Sequence, residues 1–516
     1  MQVQRLSSLC ATVRKTGEKM EAWLEKQFGL SGAGVTWQSE VRAGATTFLT
    51  MAYILIVNPK MMSGADITFM EYDTGLPFSD ALFATAVASC VACLIMGLWA
   101  NLPFALAPGM GLNAYFLYTV VFGMGVAWEV ALGAVFVEGL LFMALSMGGV
   151  RSAMINSVPT DLKIATMSGI GMFLAIIGME ETGWVVDNPA TLVDLDATAS
   201  WTYQSGELWA LIGLLAMGAM MARGMRGAFI YGIVGVTAVT WIMEAAGHGV
   251  MPGWGACNAD MVACSAPALG DWVSMPELPD ETMGAALTAI GDAGTEVTDA
   301  DGNVTWGGWG DFLIVVVAFL FVDIFDTSGT LYGVGRMAGK IDENDEIENA
   351  NEAFMADAVG TTLGALLGTS TVTTYIESAA GIEEGGKTGL VAVTAGMLFL
   401  LGLFFSDLFI SIPAYATAPA LILIGAMMMR GVGDIDWGSA EIAIPAFLTI
   451  SIMPFTYSIA DGIALGVVTY VLMQLFMGKT EILDNRILTG LAAVMALFYL
   501  GPGDQTTLEW ILSNLN

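Results

Sequence analysis

The sequence predicts an all-α polytopic membrane protein, and three observations carry that prediction. Of the 516 residues, 56% are hydrophobic and only 13% charged, whereas an ordinary soluble domain carries roughly 25% charged residues. The apolar residues gather into long runs, near the roughly 20 residues that a helix needs to cross a bilayer core. The 62 glycines and 34 methionines sit inside those runs rather than in low-complexity linkers, which excludes a fibrous or disordered chain.

Residues 1–40 form a cytoplasmic amphipathic segment punctuated by Arg5, Arg14, Lys15, Lys19 and Lys26, with no cleavable signal pattern. Seven apolar spans follow at 43–58, 81–100, 102–121, 128–147, 162–179, 208–222 and 228–246. A polar, acidic loop over 247–310 separates them from seven more at 311–335, 353–368, 369–381, 388–405, 414–429, 441–459 and 460–477. The last apolar piece, 487–500, is short for a bilayer core of about 30 Å and reads as interfacial or re-entrant within a C-terminal segment, 479–516.

Positive charge tests this count, because Lys and Arg in short loops stay on the cytoplasmic side. With the N-terminus inside and fourteen crossings, all of the 17 Lys and Arg except Lys60 fall on that side. Fourteen crossings divide as seven plus seven, and an odd number per half gives the geometry of an inverted repeat. The third span of each half is broken. Asn101, Pro103, Pro108, Gly109 and Gly111 interrupt span 3, and Gly368, Thr369, Ser370, Thr371, Thr373, Thr374 and Gly381 mark span 10. Paired broken segments at matching positions point to a midplane binding site.

Composition also narrows the chemistry. A net charge of −32 (49 Asp+Glu against 17 Lys+Arg) removes the electrostatic basis for nucleic-acid binding. It fits hydrated outer loops, as in an acidic proteome adapted to salt. His248 stands alone, so neither a zinc site nor a His-based triad has its raw material; no metal or cofactor is expected, and no enzyme. Of the five cysteines, Cys90 and Cys93 read as small core residues inside a span, Cys257 and Cys264 lie in the polar loop, where a disulfide is open, and Cys10 is near the N-terminus.

An acidic side chain at mid-bilayer costs roughly 2.5–3.5 kcal/mol on insertion scales, so each needs a reason. Asp323 and Asp326 lie three residues apart in span 8, on one helix face. Glu377 lies in broken span 10, Asn113 in broken span 3 and Glu138 in span 4. These types suit an uncharged planar ligand rich in N–H groups: a carboxylate sets two acceptors side by side, and an amide donates and accepts at once. Tyr115 and Tyr375 are placed to stack on a ring, and Thr374 and Ser378 add polar contacts beside Glu377. No Lys or Arg lies in these segments, which counts against an anion as cargo.

At these segments the chain resembles the nucleobase/ascorbate permease superfamily, in particular its hypoxanthine, adenine and guanine branch. Four stretches carry the resemblance in the family's order: 45–59 (ATTFLTMAYILIVNP), 108–116 (PGMGLNAYF), 319–331 (FLFVDIFDTSGTL) and 368–381 (GTSTVTTYIESAAG). The resemblance implies a core domain from spans 1–4 (41–160) and 8–11 (311–406). It implies a gate domain from spans 5–7 (161–246) and 12–14 (407–478), with short strands in the broken spans.

It also implies that one acid of span 8 and one of span 10 bind the base. Those are Asp326, with Asp323 fitting a looser register, and Glu377. The expected function is uptake of purine bases by cation symport, with H+ or Na+ as the cation, through an elevator-like movement of core against gate in the cell membrane. Asp326, with Asp323 or Glu138 nearby, would carry the proton. The resemblance further implies a homodimer. Uncoupled facilitation, xanthine or uracil as substrate, and anion transport on the same architecture stay open.

Overall fold

The computed structural model describes residues 19–64, 74–147, 158–188, 191–196, 201–248, 272–276, 278–298, 304–341 and 347–499. Cys10, Cys257, Cys264 and, within the 247–310 loop, residues 249–271, 277 and 299–303 lie outside the described residues, as do Arg5, Arg14, Lys15 and residues 500–516.

Helix α1 (Trp37–Ser63) begins at a reciprocal cap. Ser39 N–H donates to Thr36 Oγ1 at 3.2 Å while Thr36 N–H donates to Ser39 Oγ at 3.0 Å, so two orphan donors are satisfied together and the helix starts before the apolar run does. In the first half follow α2 (Phe78–Ala100), α3 (Met110–Gly123), α4 (Trp128–Met147), α5 (Thr160–Glu181), α6 (Gly206–Ala222) and α7 (Ala228–Ala245). The second half contains α8 (Trp309–Met337), α9 (Ala350–Leu367), α10 (Ser378–Glu383), α11 (Leu390–Ile410), α12 (Ala414–Asp434), α13 (Ala440–Thr456), α14 (Ile459–Phe476) and α15 (Arg486–Tyr499).

Among the described residues nine helices are long and apolar enough to cross a membrane, namely α1, α2, α4, α5, α7, α8, α11, α12 and α14. The protein is a multi-pass membrane protein. Nine of the fourteen expected crossings coincide with these helices. Of the other five runs, α3, α6 and α13 are shorter helices, α9 is as long as α14 but more polar, and the tenth is mostly not helical.

The expectation of an all-α chain is corrected to a mostly helical fold that contains, among the described residues, three two-stranded antiparallel sheets. They pair β1 (Leu106–Pro108) with β6 (Val372–Thr374), β2 (Val185–Asn188) with β3 (Leu192–Leu195), and β4 (Val297–Thr298) with β5 (Val304–Trp306). The first pair explains the broken runs. Asn101 leaves α2 in the left-handed region (φ 53) and Gly368 leaves α9 at φ 114; Pro103 then bars a new helix on one side, and a run of Thr, Ser and Val favours extended chain on the other.

With no water in a bilayer core, backbone N–H and C=O groups must find partners inside the protein. Here each broken segment supplies the other's. Leu106 faces Thr374, Ala107 faces Thr373 and Pro108 faces Val372; beyond the strands, Gly109 N–H donates to Thr371 O at 2.9 Å and Tyr375 N–H to Ala105 O at 3.0 Å. Cys93, free and buried like Cys90, closes the ladder's edge: its thiol donates to Leu106 O at 3.3 Å and its sulfur accepts from Leu106 N–H at 3.1 Å.

Helices α1, α2, α4, α9 and α11 pack on one another around this pair, while α5 packs on α12, α13 and α14, with α6 and α7 against α12. Helix α8 packs against both α4 and α5. Buried Glu40 of α1 receives the start of α11, accepting Thr388 N–H at 2.8 Å and Thr388 Oγ1–H at 2.6 Å, a favourable place for negative charge at a helix N-terminus. Glu384, in the turn after α10, pairs with Arg42 of α1 at 2.7 Å and with Arg226 of the α6–α7 loop.

Where α2 meets the start of α11 the backbones touch. A Cβ at Gly389 would lie 2.0 Å from the Gly97 carbonyl oxygen, so any side chain there forces the helices apart. Gly389→Ala is therefore expected to cost about 1–3 kcal/mol. The check is the melting temperature of detergent-solubilised protein; an unchanged value would mean that the two helices do not approach this closely.

Candidate functional site

The strand pair and the interruption of α1 turn side chains into one cavity. In α1 the regular ladder lapses at Ala52 and Tyr53, where the Tyr53 carbonyl accepts from both Ile56 and Val57 at 2.9 Å. That lapse lets the Tyr53 ring leave the helix. Asp326 and Thr330 of α8 stand one turn apart, and the Thr330 hydroxyl donates to the Asp326 carbonyl at 2.9 Å. After β6 the chain passes through Tyr375 to Glu377, the residue that precedes α10.

These polar groups form one wall of an open-sided cavity: Tyr53, Asp326, Thr330, Thr373, Thr374, Tyr375 and Glu377, with Gly109 and Gly111 at the start of α3. The facing wall is apolar, made by Met167, Ile170 and Leu174 of α5 and by Ile424 and Met428 of α12. Asp326 and Glu377 are each 7% exposed. Tyr53 O–H donates to Glu377 Oε1 at 2.9 Å, and the Tyr375 hydroxyl donates to the Pro108 carbonyl. One side thus offers convergent acceptors and donors, while the other offers only contact surface, as in ligand sites that orient a flat apolar body by a few polar groups.

Four sequence-predicted residues, Asp326, Glu377, Thr374 and Tyr375, meet in this cavity. The others lie elsewhere. Asn113 is fully buried behind the wall, donating to Asn58 Oδ1 and accepting from the Ser370 hydroxyl. Asn58 in turn donates to Thr85 Oγ1 at 2.7 Å and to Thr369 Oγ1 at 3.0 Å. The Asn113 amide therefore ties α3 to α1 and to the approach of β6 instead of facing the cavity, because protein partners already occupy it. Tyr115 packs edge-on against Phe319, with ring centroids 5.0 Å apart, and Ser378 Oγ accepts the Ala105 N–H at 3.0 Å. Asp323 and Glu138 are fully buried outside the cavity wall, Asp323 one turn before Asp326.

Sequence reasoning missed Tyr53, Thr330 and the methionines of the facing wall. Tyr53 had a usable signal, as an aromatic hydroxyl in the midst of the apolar 45–59 stretch; the methionines had none, since Met is a common core residue. Among the described residues no three His, Cys, Asp or Glu side chains converge as a metal-ligand set.

Comparison with known proteins agrees with this architecture. The guanine/hypoxanthine permease PbuG of Bacillus subtilis is 37% identical over 478 residues, covering 92% of this chain and 98% of its own length. The adenine permease AdeP of Escherichia coli is 34% identical over 489 residues, covering 95% and 97%. Among solved structures, the transmembrane domain of a cyanobacterial bicarbonate transporter, BicA, superposes with a TM-score of 0.53 at 16% identity, over 85% of this chain and 96% of its own length; at that identity the likeness concerns the fold alone. A family profile described as Permease family, Xan_ur_permease, matches residues 38–277 and 302–483. Those two stretches contain all four quoted motifs and every residue of the cavity, and the chain belongs to this family, the nucleobase/ascorbate permeases.

Proposed function

We propose that this protein is a secondary active transporter that imports purine bases, adenine, guanine or hypoxanthine, across the cell membrane together with a cation, H+ in the first instance. The observation that carries the reading is that Asp326 and Glu377 line one cavity beside the paired broken segments. Two carboxyl groups suit the N–H edges of an uncharged heterocycle, and the apolar wall from α5 and α12 suits its face. The names of PbuG and AdeP support purines as the substrate class.

In this reading the chain crosses the membrane fourteen times from a cytoplasmic N-terminus, as two inverted halves of seven. The antiparallel pairing of β1 with β6 supports that symmetry. Residues 41–160 and 311–406 form the core, 161–246 and 407–478 the gate, and the mutual packing of α5 with α12, α13 and α14 is in keeping with that division. The core carries the polar wall and slides against the apolar gate wall. Asp326, with Asp323 or Glu138 nearby, carries the proton, and the protein works as a homodimer.

Competition tests the substrate. Uptake of radiolabelled hypoxanthine in cells lacking their own purine permeases is expected to be inhibited by adenine or guanine and little affected by uracil. Energy coupling is read separately: an ionophore that collapses the proton gradient is expected to stop accumulation above the external concentration. Persisting equilibration with no accumulation in untreated cells would instead identify an uncoupled facilitator.

A further inference from the structure

Tyr53, on the polar wall, contacts Glu377 and also reaches Phe229 of α7. Its side chain is buried at 1% exposure, and two contacts hold it. The hydroxyl donates to Glu377 Oε1 at 2.9 Å, across 324 residues of sequence, and the ring lies against Phe229 of α7, with centroids 5.3 Å apart and planes tilted by 53°. With its ring buried against Phe229, the phenol stays in place and offers the carboxylate a fixed donor. Each carboxylate oxygen has two lone-pair directions; with one direction of Oε1 taken, the plane of the Glu377 group is set before any ligand arrives.

We infer that Tyr53 is a positioning residue for Glu377: it orients the carboxylate so that its remaining lone pairs meet the donor edge of the base, and it thereby sets the affinity for the base through Glu377. This rests on the reading that Glu377 binds the base. Preorganisation of this kind saves the ordering cost that binding would otherwise meet, and its loss weakens binding more than it slows the conformational cycle.

The test compares Y53F, E377Q and the double variant Y53F/E377Q by hypoxanthine uptake, normalised to the amount of each protein in the membrane. Y53F keeps the ring on Phe229 and loses only the hydroxyl. The expected result is a KM raised about tenfold with Vmax within about twofold of the parent, the size that one hydrogen bond to a charged group contributes. In the E377Q background the same change is expected to raise KM by clearly less than tenfold, because the charge-assisted bond that Tyr53 makes to Glu377 is already gone.

An unchanged KM in Y53F beside an impaired E377Q overturns the inference and leaves the transport reading standing, as does an additive double variant. An E377Q protein with parental KM and Vmax overturns the reading of Glu377 itself. If Y53F reaches the membrane poorly, ligand-induced thermal shift on its purified folded fraction gives the same comparison: a shift equal to the parent's at every hypoxanthine concentration overturns the inference.

Discussion

Glu377→Gln is expected to remove most purine uptake. Glutamine has the shape of glutamate, and the site around it is closely defined: β6 delivers residue 377 to the cavity, the Ser378 hydroxyl holds the turn by accepting Ala105 N–H, and Tyr53 donates to Oε1. The substitution therefore leaves the fold in place and changes two things at once. It exchanges one acceptor oxygen for an NH2 group: with the amide oxygen kept on the Tyr53 O–H, the NH2 meets the N–H edge of the base as donor against donor. It also removes the charge that makes a carboxylate hydrogen bond about twice as strong as a neutral one. A donor left without an acceptor in a site this buried costs about 1–3 kcal/mol, more for a charge-assisted pair, so Vmax/KM for hypoxanthine is expected to fall by about 10² or more. Binding to purified protein separates this from a transport defect: if the variant binds hypoxanthine as the parent does, Glu377 does not hold the base.

Asp326→Asn is expected to have the other large effect, of a different kind. Asp326 lies on α8, the helix that packs against both α4 and α5, and its carboxyl faces the same cavity as Glu377. A fixed charge at the bilayer midplane costs roughly 2.5–3.5 kcal/mol. A carboxyl that takes a proton on one side and gives it up on the other travels neutral and couples the proton to the cargo. Asparagine is neutral at all times and carries no exchangeable proton in this range, so accumulation above the external concentration is expected to vanish. Exchange of labelled for unlabelled base, which needs the movement and not the proton, is expected to continue at a measurable rate. Counterflow in proteoliposomes reads the exchange, and concentrative uptake under an imposed pH gradient reads the coupling. Full accumulation by the variant would remove Asp326 from the coupling step. Loss of both activities alike would assign it to substrate binding alongside Glu377.

Much of the cavity's polar lining was legible before any coordinates. Asp326 and Glu377 stood out because a carboxylic acid within an apolar run is costly, and Thr374 and Tyr375 followed from their place beside Glu377. The broken runs were legible because Pro103, Pro108 and the Thr369–Thr374 stretch contradict a helix locally. Asn113 was placed in the binding site on the same reasoning, and the structure turns it away. An amide's residue type says that it will find partners, whereas the neighbours Asn58 and Ser370 decide which partners it finds. Asp323 and Asp326 share a helix face by their spacing, yet the cavity takes only Asp326, since its wall ends one turn short of Asp323.

Hydropathy, the interruptions and the positions of the buried acids belong to the primary sequence, because each depends on a residue and its near neighbours along one helix or strand. The register that sets Leu106 against Thr374, the contact of Tyr53 with both Glu377 and Phe229, and the opposition of a polar wall to an apolar one appear only when the chain is packed. Those features depend on how far each helix is rotated and how deep it sits relative to partners hundreds of residues away. No local pattern encodes that rotation; it follows from close contacts such as Gly97 against Gly389 and from the need to pair every backbone N–H where there is no water to take its place.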